Sequence, residues 1–503
     1  MKKIPFLLLL ATSVAAQELR QEIETYIDEH EKPILTELWQ AVSIPSVAAD
    51  AENARRKASF LLERFRVRGF DVELLETDGN PLVWAESGAP GAERTLLLYA
   101  HYDGQPVDPS RWAQDDPFEP VLRDGKLDEG ARVLDFEAQS RFEDDWRIYA
   151  RSVSDDTAPI IAILAAVDAL AAVGVAPSVN VRVILDGEEE RGSPNLVPAI
   201  GRYRDQLEAD LMLILDGPLH ASGKQTVTYG ARGNLGIELI VYGPKFPLHS
   251  GHYGNWAPNP AVRLAHLIAS MKADDGRVVI EGFYDGIELD AATRAVLDSI
   301  PDDHEALKRL FGFSLPDRVG TTLQEAIQYP SLNVRGLRSA WVGAEARTIV
   351  PDTAIAAIDV RLVKETPADA MYEKVVRHIR AQGYHVVDET PDDATRAAHD
   401  KIVHVARRGL GTNAFRTELD DPEARRIVDA LTEMWDDVPL RVRTMGGTVP
   451  ISPFIAALGF PALVVPTVNF DNNQHSPNEN LRLGHFFDSV VTIAAIMTQP
   501  DQE

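Results

Sequence analysis

The chain has 503 residues, 45% of them hydrophobic and 25% charged, with 33 Gly and 32 Pro, a composition that excludes disordered, collagen-like and small disulfide-stapled proteins. Fifty Lys and Arg against 77 Asp and Glu leave a formal charge of −27, a field that repels phosphate-rich duplexes and argues against a nucleic-acid partner. With no Cys, disulfides, thiolate nucleophiles and Cys-based metal sites are excluded, so any metal has to be held by His and carboxylate.

In chain order, MKKIPFLLLLATSVAA places two lysines, an apolar run and small residues before Gln17. This is the layout of a secretory signal, and the run is shorter than the ~20 apolar residues that span a bilayer. A signal peptide over residues 1–16 is expected, with a mature chain that is exported, secreted or periplasmic, and not held in a membrane. Gln17 to Gly69 reads as helices, carried by TYIDEHEKPILTELWQAV and ENARRKASFLLERFRVRG. DVELLET, LVWAES, RTLLLYA, VNVRVILD and LMLILD are short, rich in Val, Leu or Ile and bounded by turn residues, which predicts strands. PIIAILAAVDALAAVGV, from Pro159, predicts a buried helix rather than a membrane span, because Asp168 interrupts it. The alternation predicts an α/β domain with a mostly parallel sheet covered by helices on both faces.

From Thr226 the texture changes. TVTYGARGNLGIELIVYG looks like a hairpin, and TAIAAIDVRLV precedes the helix AMYEKVVRHIRAQG. These elements predict an inserted α+β domain with an antiparallel sheet. After Arg416 a helix, the strand ALVVPTV and a helix from Leu483 return to the first fold. The predicted division is one domain over 17–225 and 416–503, interrupted by a second over 226–415.

Several acidic and histidine features follow strand-like runs, where open α/β sheets place their ligands. RTLLLYA runs into His101-Tyr-Asp103; a His at a strand end can bind a metal while a nearby acid orients the ring, or both can be ordinary loop residues. Asp155 and Asp156 precede the buried helix and could equally serve as its cap. In VNVRVILDGEEERGS, Asp186, Glu188, Glu189 and Glu190 crowd one strand end, and adjacent carboxylates repel unless they share a cation or proton. LMLILD delivers Asp216, and NNQHSPNEN delivers His475. Together these His and carboxylate groups supply hard to intermediate ligands for two divalent ions.

The segments LYAHYDGQP, YARSVSDDTAP, LDGEEERGS, a strand ending in Asp216, PLHSG, IDVRLV, GGTVP and NNQHSPNEN resemble, in that order, the motifs of the co-catalytic zinc exopeptidases. That family includes carnosinase-type dipeptidases, glutamate carboxypeptidase and acetylornithine deacetylase. The resemblance implies that Asp155 bridges two metals, with Glu190 and His475 on one and His101 and Asp216 on the other. It further implies that Asp103 orients His101 and that Glu189 is the general base acting on a metal-bridged water. His249 would stabilise the oxyanion from a partner subunit, hence a homodimer, while Arg361, Gly446, Gly447 and Thr448 would bind the substrate carboxylate. The interrupted domain would be catalytic and the inserted one a lid and dimerisation domain.

Ser152, Thr157 and Ala158 depart from the family pattern, which has glycine and lysine around the bridging Asp. A pocket lysine is lost, and the strained peptide implied between Asp155 and Asp156 has to form without its usual glycine neighbour. The expected protein is an exported metallopeptidase cleaving dipeptides or short peptides with a free C-terminal carboxylate, using two divalent ions, zinc first with manganese or cobalt also suited. Alternatives are an N-acyl amino acid deacylase with the same site, an inactive relative serving as a scaffold, and a periplasmic solute-binding protein without catalysis.

Overall fold

A computed structural model describes residues 5–499, with side chains over 14–499 apart from 410. The start of the expected signal peptide, residues 1–4, lies outside the described residues. Helix α1 (Pro5–Val42) departs from helical geometry at His30, three residues before Pro33, whose ring cannot fit a regular helix interior. Helix α2 (Ala51–Arg66) is capped by Asp50, whose side chain accepts from Asn53 N. Strands β1 (Asp71–Leu75), β2 (Leu82–Ser87) and β3 (Thr95–His101) precede helix α3 (Ala158–Val173). Strands β4 (Asn180–Asp186), β5 (Leu211–Ile214), β6 (Thr226–Thr228) and β7 (Gly233–Tyr242) follow. Next come β8 (Ser331–Arg338), β9 (Thr353–Leu362), helix α4 (Ala368–Ala381), β10 (His385–Val387) and β11 (Ile402–Thr412). The chain closes with helix α5 (Pro422–Trp435), β12 (Leu440–Val442), β13 (Ala462–Val464) and helix α6 (Leu483–Met497).

The chain divides into two compact units, Met1–Gly230 with Thr417–Arg443 and Pro453–Glu503, and Ala231–Arg416 with Thr444–Ser452. The sequence reading put 444–452 with the flanking residues. The structure joins it to the second unit, where Met445 forms a bridge to Ala231 and Thr448 bonds to Arg361.

The first unit holds an eight-stranded sheet in the order β1-β2-β4-β3-β5-β13-β6-β12. Its centre is parallel, β4 to β3, β3 to β5 and β5 to β13, and antiparallel pairings bring in β1 and β2. Leu96, Leu98 and Ala100 of β3 join the core built with α1, α2, α3 and α6, while Leu97 and Tyr99 on the opposite face are also fully buried. Both faces are therefore covered, as a parallel sheet requires. Helix α3 lies in the helical stretch Val153–Val173, long and apolar enough to cross a membrane, yet 72% of its apolar window is buried within the protein.

The second unit holds a five-stranded sheet in the order β8-β9-β7-β11-β10, antiparallel except for the last pair. Its core gathers Leu235, Ile237, Leu239 and Val241 with Ile358, Val360 and, from α4, Met371, Val375 and Ile379. The hairpin expected over 226–243 does not form: β6 pairs with β12 and β13 in the first sheet, and β7 with β9 and β11 in the second. Local alternation cannot distinguish a hairpin from a crossing between two sheets, since both need two strands and a glycine-bearing break.

Candidate metal centre

Strands β4, β3 and β5 are adjacent and parallel, so their carboxyl ends share one edge of the sheet. His101 ends β3, Asp216 follows β5, and Glu190 lies in the single turn Glu189–Arg191 after β4. Asp155 comes from the turn Val153–Thr157 that leads into α3, and its peptide to Asp156 is cis. His475 comes from the loop after β13. Their donor atoms form two groups, His101 with Asp155 and Asp216, and Asp155 with Glu190 and His475, each with donors within 4.8 Å of one another. Asp155 belongs to both. Its Oδ1 lies 3.0 Å from His101 Nε2, and its Oδ2 lies 3.1 Å from His475 Nε2, which is 3.2 Å from Glu190 Oε2.

Behind these donors sits a rank of buried carboxylates. Asp103 accepts from the backbone N–H groups of Glu189 and Glu190, each at 3.1 Å, and its Oδ1 is 3.3 Å from His101 Nδ1. One carboxylate thus sets three of the expected site residues. Asp156 does not cap α3; its Oδ2 accepts from His101 N at 3.1 Å. Glu479, fully buried, accepts from the N–H groups of Ser152, Ser154 and Asp155, from Ser154 Oγ, and from Arg151 Nη1 at 2.7 Å. It shapes the whole turn that presents Asp155. Gly104 allows this turn to close up, because a Cβ there would lie 1.9 Å from Ser152 Oγ.

The departures from the family pattern have structural consequences. Ser152 adopts φ 63°, the left-handed conformation that glycine favours. Ala158 has ordinary helical angles, φ −58° and ψ −46°, so no glycine is needed there. Thr157 accepts a hydrogen bond from Lys57 Nζ of α2 at 2.9 Å.

The electrostatics suit cations. Burial first, then Asp155, pushes Glu190 up to about 7 and Asp216 up to about 6. Burial likewise raises Glu189 well above the usual carboxylate range, with Asp216, Glu190 and Asp155 adding to it. His475 is pushed up to about 9 by Asp155 beside it. In His101, burial is outweighed by the hydrogen bonds with Asp103 and Asp155. The cluster retains protons where divalent ions would neutralise its charge. Asp156 Oδ1 is buried without a hydrogen-bond partner, and the donor set of carboxylate oxygen and imidazole nitrogen matches zinc, manganese or cobalt. The residues present therefore fit a pair of divalent metals.

Residues 97–499 match the family described as Peptidase family M20/M25/M40. The chain belongs to that family. Among curated M20 relatives, the Cys-Gly metallodipeptidase DUG1 of Candida albicans is 26% identical over 97% of this chain and 99% of its own length. The Beta-Ala-His dipeptidase of Homo sapiens is 24% identical over 96% and 93%. The crystal structure of the M20 family metallo-carboxypeptidase Sso-CP2 from Sulfolobus solfataricus superposes with a TM-score of 0.71 at 28% identity, covering 92% of this chain and 98% of that one. This M20 protein is a metal-dependent hydrolase with an α/β fold.

The remaining expected residues lie in the second unit. Arg361, on β9, donates to Thr448 Oγ1 at 2.8 Å and also pairs with Asp359 at 3.2 Å. Gly446 and Gly447 are exposed beside Thr448. His249 is exposed, and its ring nitrogen accepts from Gly251 N at 3.1 Å. The sequence reading missed Arg232, whose buried guanidinium is pushed down to about 10 by burial first and then by Arg361. Asp359, paired with Arg361, partly offsets the two cations. Lys57 and Glu479 were also missed. Lys57 carried a readable signal, a lone charge on the apolar stripe of an amphipathic helix, whereas nothing local marks Glu479 as buried.

Proposed function

We propose that this M20 protein is an exported di-metal dipeptidase that hydrolyses dipeptides or short peptides bearing a free C-terminal carboxylate. The observation that carries it is the pair of donor groups sharing Asp155, with Glu189 beside them and in neither. The names of the relatives, Cys-Gly and Beta-Ala-His dipeptidases, support short peptides as substrates.

His101, Asp155 and Asp216 would hold one ion and Asp155, Glu190 and His475 the other, with zinc first among the candidates. When bound, such ions polarise the scissile carbonyl and lower the pKa of a water between them. Glu189 supplies the base: raised well above the usual carboxylate range, it can take a proton from the attacking water and return it to the leaving amine. Asp103, by holding Glu189 N and orienting His101, fixes base and ligand to one another. Arg361 and Thr448, with Arg232 nearby, receive the substrate carboxylate, a fork-shaped task suited to arginine.

The homodimer is carried by the family resemblance; in the second unit Trp256, Trp341 and Val342 are exposed at 82%, 54% and 86%. In that dimer the partner's His249 would face the developing oxyanion. Export rests on the N-terminal signal layout.

Glu189→Gln tests the reading. Metal content by elemental analysis should stay near two ions per chain while kcat falls about 10²–10⁴-fold; unchanged turnover would refute the base. In a panel of dipeptides against N-acetyl amino acids, dipeptides should be cleaved faster. Cleavage of the N-acyl compounds alone would replace peptidase with deacylase.

A further inference from the structure

Helix α2 buries Ala54, Ala58, Leu61, Leu62 and Phe65, and Lys57 lies on the same stripe. Lysines on such faces ordinarily extend the ammonium to water. Lys57 does not: it is 0% exposed. Taking an ammonium out of water is costly unless opposite charge and hydrogen bonding compensate, so its surroundings should show what it serves. Its Nζ donates to Thr157 Oγ1 at 2.9 Å. Burial lowers Lys57 to about 7, and the charges that oppose this are Asp103, then Glu479, then Asp156. Those are the three carboxylates that grip His101, Glu189, Glu190 and the Asp155 turn from behind.

Thr157, which accepts the bond from Lys57 Nζ, is one of the three positions where the chain departs from the family's glycine and lysine.

The geometry points to Lys57 as a positioning residue, an ammonium supplied from α2 that compensates the carboxylates behind the donor cage and holds Asp155 in register for metal. This rests on the two-metal reading above. Lys57 touches no substrate; it acts through Asp103, Asp156, Thr157 and Glu479.

The test uses the full chain as wild type, Lys57→Met, Lys57→Ala and Lys57→Ala/Thr157→Lys. For each, metal per chain, the thermal midpoint with and without chelator, and kcat and KM on a cleaved dipeptide are measured. Lys57→Met keeps the apolar stem but leaves the carboxylates around it without their counter-charge, so its chelated form should melt below the wild-type temperature. Its metal content should fall below two ions, the midpoint gained on adding metal should shrink, and kcat should drop at least tenfold with little change in KM. The double variant should regain metal and recover kcat to within about threefold of wild type, at least several-fold above Lys57→Ala. Wild-type metal content, metal-dependent midpoint and kcat in Lys57→Met would overturn the role, as would a double variant no better than Lys57→Ala. A wild-type chain without metal would instead bring down the two-metal reading itself.

Discussion

Replacing Glu479 with Gln removes one oxygen from the most heavily bonded carboxylate in the first unit. Its Oε1 accepts from Ser154 N, Ser154 Oγ and Asp155 N, and its Oε2 from Arg151 Nη1 and Ser152 N. A glutamine keeps one acceptor oxygen and turns an NH₂ toward the other set. The smaller loss faces the NH₂ to Arg151 and Ser152, breaking two bonds to a charged group at ~1.5–3 kcal/mol each. It also leaves the buried Arg151 without its counter-charge, an uncoupling that typically costs 3–5 kcal/mol. These describe overlapping interactions, so the expected destabilisation is about 3–5 kcal/mol. Urea unfolding of the chelated protein, followed by tryptophan fluorescence, reads it. Trp39, Trp84, Trp112, Trp146 and Trp435 all lie in the first unit. Metal content should fall in parallel, because Asp155 N loses its anchor. A loss of less than about 1 kcal/mol would mean that the five contacts do not shape the turn and would refute the reasoning.

Three further outcomes follow from the same structure. Arg361→Lys should raise KM for dipeptides about 10–100-fold with kcat nearly unchanged, the worth of one charged bond in a fork; an equal KM on dipeptides would remove Arg361 from the carboxylate pocket. Burial alone would raise Asp471, but hydrogen bonds from Arg147 and Lys126 hold it below its ordinary 3.8. A depressed folded value contributes stability above the ordinary pKa that disappears as pH falls through it. Thermal midpoints of chelated Asp471→Asn should therefore lie below wild type at pH 7, and the gap should close below about pH 4; a gap independent of pH would exclude the ion pairs as its source. Chelation should lower the midpoint of the wild-type protein and zinc should restore it, since ions that bind only the folded cage stabilise by mass action.

His101, the acidic run 186–190 and Asp216 were readable as candidates because they sit at strand ends of clear composition, whereas Asp155, Glu190 and His475 were picked out as ligands through the family resemblance. RTLLLYA, VNVRVILD and LMLILD form β3, β4 and β5, and parallel pairing brings their ends to one edge. The crossing at 226–243 was read as a hairpin because pairing partners at Leu440–Val442 and Ile402–Thr412 are remote in sequence. For the same reason Thr444–Ser452 was placed with its chain neighbours, although Met445 and Thr448 bond elsewhere. Lys57 and Glu479 escaped notice since burial of a charge is decided by what packs over it. The bond to Thr157 could not be read because Lys57 lies 100 residues earlier in the chain.

Glu479 seats a turn that lies 324 residues earlier, at Asp155, and His475 completes the second donor group. A ribosome makes the other four donors long before it makes these two. Until residues 475–479 are in place, the second donor group lacks a member and the Asp155 turn lacks its anchor. A chain stopped at residue 470 should take up no ion pair under conditions that load the full-length one.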